Sequence, residues 1–148
     1  MLNKNLKIHG ATLLSVEEAK NLLTKENREY PHCDWWWLRS PGTGSNRAAS
    51  VDFDGDVTYN GDFVDYDNFC VRPALQISVL KSSNLKIGDT FDVGDYKFRV
   101  ISEDLAWMYE QDIGDHRFDE ETNVYGQSEI KQFVDDWFER EIKPLLLV

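Results

Sequence analysis

The stretch CDWWWLRSPG, residues 33–42, decides the fold. Extended over Asp34–Leu38, it turns Trp35 and Trp37 to one side and Trp36 and Leu38 to the other, because successive side chains of a strand point to opposite faces. Both faces are then apolar. Such a strand belongs inside, so the expectation is a central strand with tryptophans in the core, rather than an aromatic platform for sugars, bases or cations. The SPGTGSN that follows, residues 40–46, carries Pro and two Gly and reads as a loop.

Upstream, LLSVEEAKNLL holds a helix signal. Ser15 can cap, Glu18 stands at the third helical position, and Val16, Ala19, Leu22 and Leu23 share a face, with an end expected near Lys25. Downstream, Val51 and Phe53 alternate with Asp52 and Asp54, and Asp54-Gly55 supplies a hairpin turn. Val57 and Tyr59 share the next face, and Asn60-Gly61 reads as a second hairpin turn before Phe63, Val64 and Tyr66. The stretch Val71–Val79 contains Pro73, which fits an edge or a bulge.

The polar KSSN, residues 81–84, reads as an internal junction. Beyond it, Lys86–Val93 and Tyr96–Ile101 predict a hairpin about Gly94-Asp95, with Phe98 and Val100 on one face, and Leu105–Tyr109 a further strand. From Ser128, the residues Ile130, Phe133, Val134, Trp137, Phe138 and Ile142 form an apolar stripe at helical spacing, and Pro144 is expected to end that helix. The LLLV tail is expected to dock on the body or on a second copy.

With 148 residues, 41% of them hydrophobic and 13% aromatic, the chain can build one core, so residues 1–148 are read as a single domain. Its net charge of −11, from 27 acidic against 16 basic residues, disfavours direct binding to nucleic acid or an anionic membrane. A protein partner should be basic or neutral, although solubility alone also accounts for such acidity. MLNKNLKIHG has no apolar run of signal-peptide length, and the expected location is the cytoplasm. Cys33 and Cys70 lack CxxC spacing and are expected to be reduced and partly buried.

WWWLRSPG, AASVDFDGDV and FCVRPALQI, in that order, resemble a bacterial and phage domain family of unknown function whose signature runs WWLRSPG, a DG turn and GVRPAL. Members look like relatives of the C-type-lectin-like fold, shared with formylglycine-generating enzymes and phage tropism determinants. The resemblance implies an α+β fold of short antiparallel strands and hairpins with two amphipathic helices. IGDTFDVGDYKFRVI and YGQSEIKQFVDDWF resemble the part that normally precedes the signature, so the order looks circularly permuted. Residues 12–79 and 86–143, joined through 80–85, should then be incomplete halves that pack together, within one chain or exchanged in a homodimer. Cys70 stands where the family usually has Gly.

Among candidate sites, Arg39 and Arg72 each follow an apolar strand and are read as structural, pinning loop carbonyls or a carboxylate, alongside Trp35 and Trp37 in the core. Asp52, Asp54 and Asp56 offer a weak calcium reading, but Gly55 and Phe63 break the EF-hand pattern and no metal is expected. GDHRFDEET, residues 114–122, reads as a surface loop around His116. No phosphate loop, GxSxG or HExxH is present, so neither catalysis nor a cofactor is expected. What remains is a scaffold displaying Asn46, Arg47, Tyr59, Asn60, Asp62, Tyr66, Asp67 and Asn68 as a binding face. The competing reading is an acidic inhibitor that mimics nucleic acid in a host nuclease or defence protein.

Overall fold

The computed structural model describes residues 6–80 and 84–146. Among the described residues, eight strands fall into two antiparallel sheets joined by a few helices, an α+β architecture. The larger sheet runs β1 (Leu6–Thr12), β5 (Ala74–Val79), β8 (Leu105–Met108), β7 (Tyr96–Val100), β6 (Thr90–Val93). The smaller runs β2 (Trp35–Pro41), β3 (Arg47–Asp52), β4 (Val57–Phe63). Because β5 pairs with both β1 and β8, one sheet joins strands from either side of the junction at 81–84. Of that junction, residues 81–83 lie outside the described residues.

β2 alternates as its sequence requires. Trp36 and Leu38 join Leu14, Ala19, Val51 and, from the large sheet, Leu105 and Trp107. Trp37 joins Leu13, Phe69 and Phe118 together with Ile130 and Val134 of the long helix. A third cluster, around Phe98, Val100 and Met108, is closed by Trp137, Phe138 and Ile142 of that helix. The expected central position is corrected: β2 is an edge of its ladder, but its outer side still bonds the chain at Cys70, through Cys70 N–H to the Trp35 carbonyl (3.0 Å) and Trp37 N–H to the Cys70 carbonyl (3.3 Å).

The same contact corrects the cysteine expectation. Cys33 and Cys70 form a disulfide, with Cα atoms 6.2 Å apart across 37 positions of sequence. Pairing of residue 70 beside β2 brings the thiols together, and no local spacing announces it.

Helix α1 (Val16–Leu22) opens with the expected capping box between Ser15 and Glu18. It stops short of Lys25, because Thr24 caps a new turn, α2 (Lys25–Arg28). The Asp54-Gly55 turn joins β3 to β4, with Gly55 at φ +86°. Asn60-Gly61 makes no second hairpin: β4 runs through it, and the register shifts from Ser50↔Thr58 to Ala48↔Asp62, a bulge at which Gly61 holds φ +79°. A β-carbon there would collide with the Ala48 carbonyl. Strand β1 escaped the sequence reading, its alternation broken by a register shift between Ile8 and Gly10. Pro73 lies just before β5, where its missing N–H costs no ladder bond.

Helix α3 (Glu129–Trp137) is capped by Ser128 and continues as a wide π turn, Phe138–Ile142, into α4 (Lys143–Leu146). Pro144 therefore sits inside the helical run rather than ending it. The wider turn, in which Lys143 N–H reaches the Phe138 carbonyl, precedes the residue that lacks a donor. Leu146 packs on the cluster around Phe98; the last two residues of the LLLV tail lie outside the described residues.

Gly61→Ala should lower stability by about 1–3 kcal/mol, through the positive φ and the clash with Ala48, read as a lower urea midpoint. Reducing the Cys33–Cys70 bridge, or replacing both residues by Ser, should cost up to about 4 kcal/mol on the chain-entropy estimate, seen as a lower melting temperature in reductant.

Candidate functional site

The displayed residues divide over the two faces of the small sheet. On β4, Val57 packs with the Trp36 cluster and Tyr59 follows it on that face, with the Lys20 ammonium of α1 5.4 Å from its ring centre. The other face carries a hydroxyl and carboxylate chain: Ser50 Oγ bonds Thr58 Oγ1 and donates to Asp62 Oδ2 at 2.8 Å. Beside it lies a hollow of about 170 Å³ lined by Trp35, Asp62, Tyr66, Asn68 and Phe69. A second, of about 270 Å³, is lined by Asn46, Phe63, Val64, Asp65, Tyr66 and Glu120. Tyr66 belongs to both and is 43% exposed.

Thus Asn46, Asp62, Tyr66 and Asn68 converge, whereas Tyr59 stands apart. Arg47 is engaged internally, its guanidinium 4.1 Å from the Phe63 ring centre and donating to the Gly61 carbonyl. Asn60 accepts Thr43 N–H through its carbonyl. Asp67 stays exposed, and its charge acts on Asp115: burial first, then the charges of Asp112 and Asp67, raise the Asp115 carboxyl above its ordinary value. The sequence reading missed Phe69 and Glu120. Glu120 comes from beyond the junction, and nothing near residue 66 in the sequence points to it.

Trp35 is half-buried and stacks on Phe69, 5.4 Å between ring centres, while Trp37 is fully buried. Arg39 donates to the Leu13 carbonyl at 2.7 Å and grips Glu18 with two nitrogens, locking α1 to β2. Burial would raise the Glu18 carboxyl, but hydrogen bonds from Arg39 and Ser15 outweigh it and hold the group below its ordinary value. Arg72 is buried, and its Nε donates to the Gln111 carbonyl. Arg28, which the sequence reading passed over, donates to the carbonyls of Ala19, Leu23 and Gly55, tying α1 to the β3–β4 turn.

The Asp52–Asp56 carboxylates do not converge. Asp52 Oδ1 accepts the amides of Asp54 and Asp56, and Asp56 pairs with Lys25. Among the described residues no three His, Cys, Asp or Glu side chains are placed to hold a metal ion. His116 stacks on Phe133 at 4.5 Å, and Asp119 accepts the amides of Glu121, Thr122 and Glu129. These amides overcome the upward push of burial and hold the Asp119 carboxyl below its ordinary value.

Compared with known proteins, residues 4–79, just over half of the chain, match the family described as a domain of unknown function (DUF6273). The match stops where β5 stops. No curated protein and no solved structure matches the chain.

Because the Glu18 and Asp119 carboxyls are lowered in the folded state, their stabilisation is complete above their ordinary values of 4.5 and 3.8 and is lost as pH falls through the lower folded values. Melting temperature followed from neutral pH into acid should fall below that range, and Glu18→Gln should flatten part of the fall while lowering stability at neutral pH.

Proposed function

This chain belongs to the DUF6273 family of domains of unknown function, and we propose that it is a non-enzymatic recognition module that binds a protein partner through the loops around Tyr66. The observation that carries the reading is the exposed Tyr66 ring between two hollows, bordered by Asp62, Asp65, Asn68 and Glu120. An aromatic ring supplies contact area at low entropic cost, and the surrounding carboxylates favour a basic segment. Beneath it, Phe69 stacks on both Trp35 and the buried Trp37, which supports the ring from the core. We read the scaffold as C-type-lectin-like and circularly permuted. The support is a large sheet that uses strands from both sides of the junction, although the family match ends at residue 79.

The second reading, an acidic inhibitor occupying a nucleic-acid channel, rests on the net charge of −11. Such binding weakens steeply with salt, because it depends on long-range charge more than on a packed aromatic contact. The cytoplasmic expectation stays a proposal that competes with the Cys33–Cys70 bridge, since disulfides persist in oxidising compartments.

Captured from a bacterial host lysate at low and high salt, a partner of the Tyr66 face should survive high salt. It should lose about 30-fold or more in affinity with Tyr66→Ala, a loss typical of a hot spot. Tyr59→Ala should leave that affinity unchanged. Retention by Tyr66→Ala overturns the assignment, and loss of the partner at high salt from the unaltered chain favours the inhibitor reading.

A further inference from the structure

A cavity of about 470 Å³, sharing no lining residue with the Tyr66 hollows, is lined by two residues that carry buried donors without acceptors among the described residues. Arg72 and Trp107 both line it, each 1% exposed, and among the described residues neither Arg72 Nη1 nor Trp107 Nε1 has a hydrogen-bond partner. The Arg72 guanidinium is enclosed by rings, with centres at 4.1 Å (Tyr30), 4.3 Å (Trp107) and 4.9 Å (Trp36). No carboxylate forms an ion pair with it among the described residues. Burial lowers its pKa to about 10, partly countered by Tyr30, Asp112 and Glu110, so it remains a cation at neutral pH. A buried cation and a buried indole N–H lining one cavity together call for an anionic acceptor.

The rest of the lining carries three carboxylates and a second guanidinium, that of Arg99, which is engaged by the Tyr109 ring at 4.7 Å. Glu26, Glu29 and Glu110 are exposed, and none forms an ion pair among the described residues. Glu110 holds φ +59°, the left-handed region that side chains other than glycine seldom adopt. The site is assembled across the junction: Arg72 lies within the family match, whereas Trp107 and Glu110 lie beyond it.

We propose that this cavity binds a small dipolar molecule of the basic amino acid class, its carboxylate on Arg72 and Trp107 and its cationic end among Glu26, Glu29 and Glu110. The volume falls in the range of small-molecule sites, and the two-signed lining disfavours a simple anion, which the glutamates would repel. This goes beyond the protein-recognition reading and does not depend on it.

The test is titration of the full chain with L-arginine, followed through the tryptophan indole N–H resonances in a proton–nitrogen correlation spectrum. The Trp107 resonance should move downfield and saturate as its N–H gains an acceptor. Those of Trp36 and Trp37, already bonded to the Arg28 and His116 carbonyls, should stay in place. L-argininamide, which lacks the carboxylate, and L-glutamate, which lacks the cationic end, should each bind at least about tenfold more weakly, as expected when a buried polar group is left unpaired. Glu110→Gln, an exposed change, should weaken L-arginine several-fold while the Trp36 and Trp37 resonances keep their positions, which shows the fold intact. An unmoved Trp107 resonance, or equal binding of L-arginine and L-argininamide, overturns the proposal.

Discussion

Trp36 and Trp37 are neighbours in sequence and occupy different cores. The Trp36 ring centre lies 5.7 Å from that of Trp107 in the large sheet, and the Trp37 ring centre 4.2 Å from that of Phe69 and 5.7 Å from that of Phe118. Each indole also donates to a carbonyl, Trp36 to Arg28 and Trp37 to His116. One strand thus holds together the first helices, the large sheet and the loop that leads into α3. Burying so much aromatic surface on both sides of a single strand is the hydrophobic gain around which the other elements are arranged.

Guanidinium groups do the positioning that hydrophobic contact, being non-directional, cannot. Arg39 fixes the start of α1 against β2, and Arg28 fixes its end against the hairpin turn. Arg72 differs from both: its surroundings are aromatic rings rather than a full set of acceptors. The disulfide acts near the same strand, joining the approach to β2 with the residue that pairs along its outer side.

The legible parts of the fold were those governed by neighbouring residues. The Ser15–Glu18 box, the Asp54-Gly55 turn, the alternation of the tryptophans and the helical stripe that starts at Ser128 each involve groups within a few positions of one another. Asn60-Gly61 was misread because a left-handed glycine serves a bulge as well as a turn, and only the pairing of β4 with β3 on both sides of it distinguishes the two. β1 was missed because its outer residues alternate weakly and its bulge interrupts the period. Of the displayed residues, the sequence placed Asp62, Tyr66 and Asn68 near one another but did not separate Tyr59, which lies on the other face beside Lys20 of α1.

By itself, then, the sequence determined a mixed architecture of hairpins and amphipathic helices, and a strand whose tryptophans must point two ways, since alternation and capping are enforced within a few residues of backbone. The tertiary structure alone decided that Cys33 meets Cys70, that Glu120 borders Tyr66, and that Arg72 shares a cavity with Trp107 and Glu110. These groups lie tens of positions apart, and their proximity follows from how the large sheet closes over Trp36 and the long helix over Trp37, which no local pattern encodes.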